Sequence, residues 1–94
     1  MSRVAVYRID YSPEAEQHLR VLTARQRTIV LDEVERQLTY QPNVETRNRK
    51  PMRPNPLAPW VLRIGCLRVY YEVEGAPQRA VLVRAVGIKL RNRV

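Results

Sequence analysis

Residues 60–73 contain the clearest structural pattern in the chain, Trp-Val-Leu-Arg-Ile-Gly-Cys-Leu-Arg-Val-Tyr-Tyr-Glu-Val. Apolar and polar side chains alternate on both sides of Gly65-Cys66, which is typical of two half-buried strands joined by a tight turn. With the turn at those two residues, Ile64 pairs with Leu67, and all the apolar alternate positions share one face. That face consists of Trp60, Leu62, Ile64, Leu67, Val69, Tyr71 and Val73. The pattern therefore predicts both a β-hairpin and its register.

The predicted register also determines the opposite face of the hairpin. Arg63 lies directly across from Arg68, and Tyr70 lies across from Val61 on the same side. Like charges that face each other across a strand pair are destabilising, so this pairing indicates a concave, solvent-open site in which an anion binds between the two arginines. The alternative is a solvated face on which the arginines extend into water or reach the glutamates of the second strand.

The rest of the chain supplies two helices and two further strands. Ser12-Pro13 is an N-cap signal before a helix at about 13–22, and residues 23–26 fit a capping box before a helix at about 24–40. β-forming residues predict the further strands, at 4–10 and 79–87. The order is β-α-α-β-β-β, an α+β fold in which a helical hairpin packs on a small, mainly antiparallel sheet. We interpret residues 1–94 as a single domain.

Residues 41–59 separate the second helix from the hairpin and contain five of the seven prolines and four cations. No helix or central strand fits that density of proline, so we predict a long segment without regular structure. Such segments in small domains are usually functional. A rigid extended crossover and a ligand-facing loop are both consistent with the sequence.

The positive charge is confined to the second half of the chain. Residues 1–42 carry six cations and six acids, whereas residues 43–94 carry eleven cations and three acids and so hold the whole net charge of +8. Fifteen of the seventeen cations are arginine, whose planar fork suits phosphate and carboxylate. This asymmetry predicts a polyanionic partner, either a nucleic acid or an acidic peptide.

Composition excludes several classes of protein. One cysteine, Cys66, and one histidine, His18, provide neither a disulfide framework nor a zinc site made of soft ligands. The apolar stretches are far shorter than the roughly 20 residues that span a bilayer, and the N-terminus has no apolar segment of the secretory kind. A domain of this size leaves little room for a cofactor cavity. We therefore expect a cytoplasmic protein without metal, cofactor or membrane partner, with Cys66 a bystander and His18 at the surface or an interface.

Together these motifs resemble the RelE/ParE superfamily of small bacterial toxins from type II toxin–antitoxin modules. The most specific match is the run Leu-Arg-Ile-Gly-x-x-Arg-Val-x-Tyr at 62–71, supported by Ser-Pro-Glu-Ala at 12–15 and Val-Gly-Ile-Lys at 86–89. The resemblance covers nearly the whole chain. It implies a RelE-like fold and, in the RelE-like branch, a metal-independent endonuclease that cuts mRNA on the ribosome. A cognate antitoxin is expected to block the basic surface, in a toxin–antitoxin hetero-oligomer.

The resemblance also implies roles for particular residues. Arg63, Arg68 and Lys89 match basic positions of the family that stabilise charge on the scissile phosphate. The usual C-terminal tyrosine or histidine is missing, and Tyr70 is the nearest residue that could replace it. The expected catalytic set is therefore Arg63, Arg68, Lys89 and Tyr70. Further contacts to RNA are expected from Arg47, Arg49, Lys50, Arg53, Arg91 and Arg93.

Two other functions are consistent with the sequence. Toxins of the ParE branch share the fold but bind DNA gyrase and cleave nothing, and a catalytically inactive module could bind the antitoxin alone. The missing acid or base favours these two alternatives, whereas the paired arginines favour the nuclease.

Overall fold

The computed structural model describes residues 5–52 and 58–89, which form two helices and five strands. The helices are α1, Pro13–Val21, and α2, Ala24–Leu38. The strands are β1, Arg8–Tyr11; β2, Arg49–Pro51; β3, Trp60–Ile64; β4, Leu67–Glu74; and β5, Ala80–Ile88. The first strand begins four residues later than predicted, and the second helix ends two residues earlier.

All five strands form one sheet in the order β1-β5-β4-β3-β2. The pair β1 and β5 is parallel and the other three pairs are antiparallel, so the sheet is mixed. Both helices pack on one face of this sheet and enclose the core. The opposite face, called the open face below, carries no helix of the described chain. The predicted α+β architecture, a helical hairpin on a mainly antiparallel sheet, is confirmed.

The predicted register of the β3–β4 hairpin is also confirmed. Ile64 pairs with Leu67, and Leu62 pairs with Val69. Gly65 has φ of 58°, a left-handed conformation that glycine adopts without the steric cost of a side chain. The apolar face of the hairpin enters the core, where Leu62 and Val69 are fully buried.

Side chains that the sequence identified as caps begin both helices. The Ser12 Oγ accepts a hydrogen bond from the Ala15 N–H at 3.0 Å. Thr23 and Gln26 form a reciprocal capping box, in which each side chain accepts a hydrogen bond from the backbone N–H of the other. A cap that the sequence did not reveal ends α1, because the Arg27 guanidinium donates to the carbonyl oxygens of its last turn.

Tyr71 is the largest fully buried side chain of the core. Its hydroxyl donates a hydrogen bond to the Pro42 carbonyl at 2.6 Å, which ties the loop after α2 to the centre of the sheet. Its ring stacks on Trp60 with centroids 6.1 Å apart. Burial raises the pKa of the Tyr71 phenol well above its ordinary value of 10.0.

Strand β2 corrects the prediction that residues 41–59 lack regular structure. It pairs with β3 at one edge of the sheet, where a proline is tolerated. The hydrogen bond from the Arg63 N–H to the Asn48 carbonyl, at 2.8 Å, flanks this pairing. Because antiparallel strands alternate between bonded and non-bonded pairs, Pro51 falls at a position that needs no N–H toward β3.

The far end of β5 extends past the end of β1, and α1 covers the edge that β1 leaves free. The Ser12 hydroxyl donates to the Arg84 carbonyl at 3.0 Å, and the His18 Nδ1 accepts the Val86 N–H at 3.1 Å. His18 was expected at the surface or an interface. The structure instead makes it a half-buried acceptor that satisfies the backbone of the sheet.

Among the described residues, no helix is both long and apolar enough to cross a bilayer. The same part of the chain contains no group of three or more His, Cys, Asp or Glu side chains positioned to hold a metal ion.

Candidate functional site

A groove of about 320 Å³ lies on the open face of the sheet, at the end formed by β2, β3, the start of β4 and the end of β5. We call it the basic groove. Its lining is Lys50, Met52, Val61, Arg63, Arg68, Tyr70 and Lys89. It brings together all four residues expected to be catalytic and one of those expected to contact RNA. Four of its seven side chains are cationic, and none is a carboxylate or an imidazole.

Arg63 and Arg68 face each other across β3 and β4, as the sequence predicted. The Arg63 side chain is exposed, whereas Arg68 is half-buried. The Nη1 of Arg68 donates to the Gly65 carbonyl at 2.7 Å and to the Leu67 carbonyl at 2.9 Å. Within residues 5–52 and 58–89, neither arginine forms an ion pair with an acid. The hairpin turn therefore fixes one guanidinium in place and leaves its charge available to a ligand.

Two lysines complete the positive charge of the groove. Lys50 projects from β2 opposite Val61, and its Nζ lies 3.5 Å from a carboxylate oxygen of the exposed Glu45. Lys89 directly follows β5, and its backbone N–H donates to the Cys66 carbonyl at 2.7 Å. That bond joins the end of β5 to the hairpin turn, so the backbone places Lys89 beside the two arginines.

Tyr70 lies on the floor of the groove. It pairs with Val61 on β3 and with Ala85 on β5, and it is half-buried between them. These neighbours are small or apolar and leave the phenol directed along the open face. Tyr70 is the one hydroxyl in the lining that the structure describes.

The structure places Arg49 away from the basic groove, on the other face of the sheet from the RNA contact that was expected of it. It pairs with Leu62 and therefore points to the helix face of the sheet, where it is 8% exposed. Its Nη1 donates to the Gln37 carbonyl in the last turn of α2. Its Nε is buried without a hydrogen-bond partner in the described chain. In this position the side chain bonds the end of α2 and does not line the basic groove.

The other predicted RNA contacts lie away from the basic groove or outside the described residues. Arg47 is exposed in the loop before β2 and does not line the groove. Arg53, Arg91 and Arg93 lie outside the described residues.

A second groove, of about 360 Å³, lies at the opposite end of the open face. We call it the paired-charge groove. Its lining is Arg8, Asp10, Glu72, Val73, Glu74, Ala80 and Leu82. Arg8 pairs with Asp10 at 2.9 Å, and Arg84 from β5 pairs with Glu72 at 2.7 Å. Glu72 thus bonds Arg84 and not Arg63 or Arg68, so the structure does not show the form of the alternative interpretation in which the two arginines reach this glutamate.

A third depression, of about 380 Å³, lies between β1 and α2 and is mainly apolar. Its lining is Val6, Tyr7, Ile9, Tyr11, Leu31, Glu35 and Thr39. Burial, with a smaller contribution from the negative charge of Glu35, raises the pKa of Tyr11 to about 12. The sequence did not reveal this cleft, because its residues come from two elements separated by the whole of α1.

Comparison with known proteins identifies the fold. The chain is similar to a chain of the RelBE2 toxin–antitoxin complex from Mycobacterium tuberculosis, with a TM-score of 0.78 and 20% identity over 95% of this chain and 98% of that one. It is also similar to the isolated RelE toxin of Escherichia coli, with a TM-score of 0.66 and 23% identity over 92% of this chain and 87% of that one. No family model and no curated protein matches the sequence. The RelE-like fold that the sequence motifs implied is therefore confirmed.

Proposed function

We propose that the protein is the toxin of a type II toxin–antitoxin module and a ribosome-dependent mRNA endonuclease that needs no metal. The observation that carries this proposal is the basic groove, in which Arg63, Arg68 and Lys89 converge without an acidic partner in the described chain. Similarity to two toxin structures supports it. The proposed unit is a single toxin domain, 1–94, that acts in the cytoplasm, where ribosomes translate mRNA.

The proposed reaction is an internal attack within the RNA. A ribose 2′-oxygen bonds to the adjacent phosphorus, the bond to the 5′-oxygen of the next nucleotide breaks, and the products carry a 2′,3′-cyclic phosphate and a 5′-hydroxyl. Negative charge grows on the phosphoryl oxygens as the phosphorus becomes five-coordinate, and fixed cationic donors stabilise that charge. No metal, redox cofactor or co-substrate enters this balance.

Arg68 is suited to this task because its geometry is set before RNA binds. Both of its hydrogen bonds to residues that the structure describes use Nη1. The edge formed by Nε and Nη2 remains for a phosphate, which guanidinium groups bind through two parallel hydrogen bonds. Arg63, across the hairpin, is positioned for the second face of the same phosphate. Lys89 adds a point charge at the end of the groove.

Proton transfer is assigned to Tyr70. The attacking 2′-hydroxyl gives its proton to water, the departing 5′-oxygen takes one from an acid, and water then returns a proton to that acid. Tyr70 supplies the hydroxyl on the groove floor and is proposed to protonate the departing oxygen. We expect Tyr70→Phe to slow cleavage more strongly than it weakens RNA binding, because the substitution removes the hydroxyl that donates the proton and keeps the ring.

A cognate antitoxin is the proposed protein partner. The RelBE2 chain to which this protein is similar comes from a toxin–antitoxin complex. An antitoxin that covers the basic groove would exclude RNA and form the expected hetero-oligomer. Acidic side chains are the natural complement of that groove.

The test is expression of the chain in a bacterium, with and without the product of the adjacent gene, followed by mapping of new mRNA 5′ ends. We expect growth arrest with cuts inside translated reading frames, and relief when the neighbouring protein is co-expressed. Arg68→Ala is the inactive control and Arg84→Ala the matched active one. Arrest without new mRNA ends would contradict the nuclease proposal.

One observation favours a second candidate, a toxin that binds DNA gyrase without cleaving RNA. The described lining of the basic groove has neither a carboxylate nor an imidazole to act as a base. A gyrase-directed toxin, or an inactive module that only binds the antitoxin, needs neither. Purified gyrase distinguishes the two toxins, because only the gyrase-directed one would inhibit supercoiling in the absence of ribosomes.

A further inference from the structure

Within the sheet, backbone hydrogen bonds hold strand β2 on its β3 side only, where the Arg63 N–H donates to the Asn48 carbonyl and the Met52 N–H donates to the Pro59 carbonyl. The strand has three residues, pairs with β3 alone, and lies at the edge of the sheet. Pro51 has no N–H, and Lys50 is the one residue of β2 that alternation places in a hydrogen-bonded pair with β3. Short edge strands of this kind depend on side-chain contacts for their position.

Arg49 provides that contact from the helix face of the sheet. Its guanidinium donates to the Gln37 carbonyl, one residue before α2 ends. A cation at the C-terminus of a helix is also favoured by the partial negative charge of the last carbonyl groups. The Arg49 N–H donates to the Thr46 hydroxyl at 3.1 Å, which fixes the turn that enters β2. The residue therefore joins β2 to α2 and to its own loop.

Lys50 is the residue that this anchor positions. Adjacent side chains of a strand point to opposite faces, so Arg49 in the core places Lys50 on the open face. There Lys50 lines the basic groove with Arg63 and Arg68. Its ion pair with Glu45 spans 3.5 Å between half-exposed side chains, and an RNA phosphate can displace so weak an interaction.

We propose that Arg49 is a positioning residue for RNA binding, which acts through β2 to hold Lys50 in the basic groove. The inference rests on the proposed function of that groove. Arg49 itself does not touch RNA, since its side chain is buried and bonded to α2. Of these two adjacent cations, Arg49 holds β2 from the helix face of the sheet, and Lys50 contacts RNA on the open face.

Equilibrium binding of a fluorescent single-stranded RNA over a series of potassium chloride concentrations tests this inference. A phosphate contact contributes about 0.7 to the slope of log K against log salt for single strands. We expect Lys50→Ala to weaken binding about threefold to tenfold and to lower the slope by about that amount. Arg49→Met should have the same effect, although Arg49 is buried.

The double variant, Arg49→Met with Lys50→Ala, separates positioning from general destabilisation. Residues that act as one unit are not additive. The double variant should therefore bind no more weakly than Lys50→Ala alone. Additive losses would overturn the inference, and so would an Arg49→Met protein that binds RNA like the wild type.

Arg49→Lys carries the test if Arg49→Met does not fold. A lysine keeps the charge at the end of α2 but loses the planar guanidinium whose Nη1 donates to the Gln37 carbonyl. We expect faster hydrogen exchange of the Lys50 amide and a partial loss of salt slope in this variant. Unchanged exchange together with unchanged binding would overturn the inference.

Failure of the proposed function gives a different result. If the wild-type protein shows no salt-dependent RNA binding, or if Lys50→Ala has no effect, the basic groove is not the RNA site, and the inference is overturned with it. If the wild type and Lys50→Ala behave as expected while Arg49→Met binds normally, only the inference fails.

Discussion

The two ends of the open face differ in their strands and in their charge, because β1 contributes to the paired-charge groove whereas β2 and β3 contribute to the basic groove. In the paired-charge groove, Arg8 and Arg84 each bond an acid at less than 3 Å. In the basic groove, Arg63 and Arg68 face each other, and the structure gives them no acidic partner in the described chain. Only the basic end therefore presents net positive charge to a polyanion. The pairing of charges, and not the number of arginines, therefore determines which end of the open face is positively charged.

A local irregularity in the sheet contributes to the difference. The pairing of β4 with β5 shifts between Tyr70 and Tyr71, so that Arg84 is the extra residue on β5. Bulges bend a strand and redirect a side chain. Here the bulge lets Arg84 reach Glu72 at 2.7 Å. Without that partner, Glu72 would be free to draw the arginines of the basic groove toward it.

The strongest test of this comparison replaces one arginine at each end of the open face, in two separate variants. Arg68→Ala should abolish growth arrest and lower RNA cleavage about a hundredfold or more, because an arginine that meets charge in the transition state contributes roughly 3–4 kcal/mol. Arg68→Lys should restore little, since it lacks the two-pronged geometry. Single-turnover cleavage on translating ribosomes measures both variants.

Arg84→Ala is the matched control at the paired-charge end. It removes an arginine from the same face of the sheet and should leave cleavage unchanged. If Arg68→Ala is folded and as toxic as the wild type, Arg68 has no catalytic role. The gyrase-directed and inactive alternatives would then be favoured.

Binding gives a smaller contrast between the two ends. Arg63→Ala should weaken the affinity for single-stranded RNA by about tenfold and lower the salt slope by about 0.7, because one phosphate contact is lost. Arg8→Ala should change neither quantity, since Arg8 already pairs with Asp10. Fluorescence anisotropy at several salt concentrations measures both. Equal losses in the two variants would show that the whole open face binds RNA.

Tyr71 lies in the core beneath both ends of the open face. Its substitution tests whether the stability of the fold can be changed without changing RNA binding. Tyr71→Phe should lower the free energy of unfolding by about 1–2 kcal/mol at neutral pH, because the Pro42 carbonyl loses its buried hydrogen bond. RNA affinity measured on the folded protein should be unchanged. Denaturant unfolding checks the first expectation, and a selective loss of RNA binding would contradict the second.

Tyr71→Phe should also change how the stability of the fold depends on pH in the alkaline range. Burial raises the pKa of Tyr71 in the folded protein above 10.0, so its contribution to stability is complete below about pH 10 and is lost as the pH rises further. Tyr11, with a pKa raised to about 12, adds a similar dependence. Stability of the wild type should therefore fall between pH 10 and pH 12. Tyr71→Phe should show a shallower fall, which denaturant unfolding at pH 9 and pH 11 would measure.

The smallest expected effect comes from removing one negative charge from the paired-charge groove. Glu72→Gln removes the charge that neutralises Arg84, and an exposed pair of this kind contributes at most about 1 kcal/mol to stability. The melting temperature should hardly change, while the salt slope of RNA binding should rise slightly as Arg84 becomes available. Glu14→Gln, on an exposed part of α1, is a control with the same change of charge.

The alternation of apolar and polar residues predicted the parts of the fold in which the face of each residue is determined by its near neighbours in the sequence. The hairpin register was correct because only one pairing places the apolar positions on one face and puts Gly65 in the turn. Strand β2 could not be predicted, since three residues that include a proline show no alternation. The ends of α2 and β1 differ because terminal turns and unpaired strand ends lack a strong pattern.

The sequence placed candidate site residues on the correct face of the sheet where the hairpin register alone determines the face. Arg63, Arg68 and Tyr70 share a face because the register requires it. Arg49 was assigned to the wrong side because composition predicts an exposed arginine, whereas its contact with Gln37 forms only after the chain folds back. The ion pair of Glu72 with Arg84 depends on the bulge, which no local motif announces.

The cover that α1 places over the end of β5 also bears on how copies of this protein behave at high concentration. An open strand edge pairs readily with the same edge of another molecule and begins aggregation. Here the Ser12 hydroxyl and the His18 ring occupy the Arg84 carbonyl and the Val86 N–H, the groups that such pairing would use. The side chains of Ser12, the N-cap of α1, and His18 thus bond the backbone groups that a neighbouring strand would otherwise bond. They protect β5 from self-association.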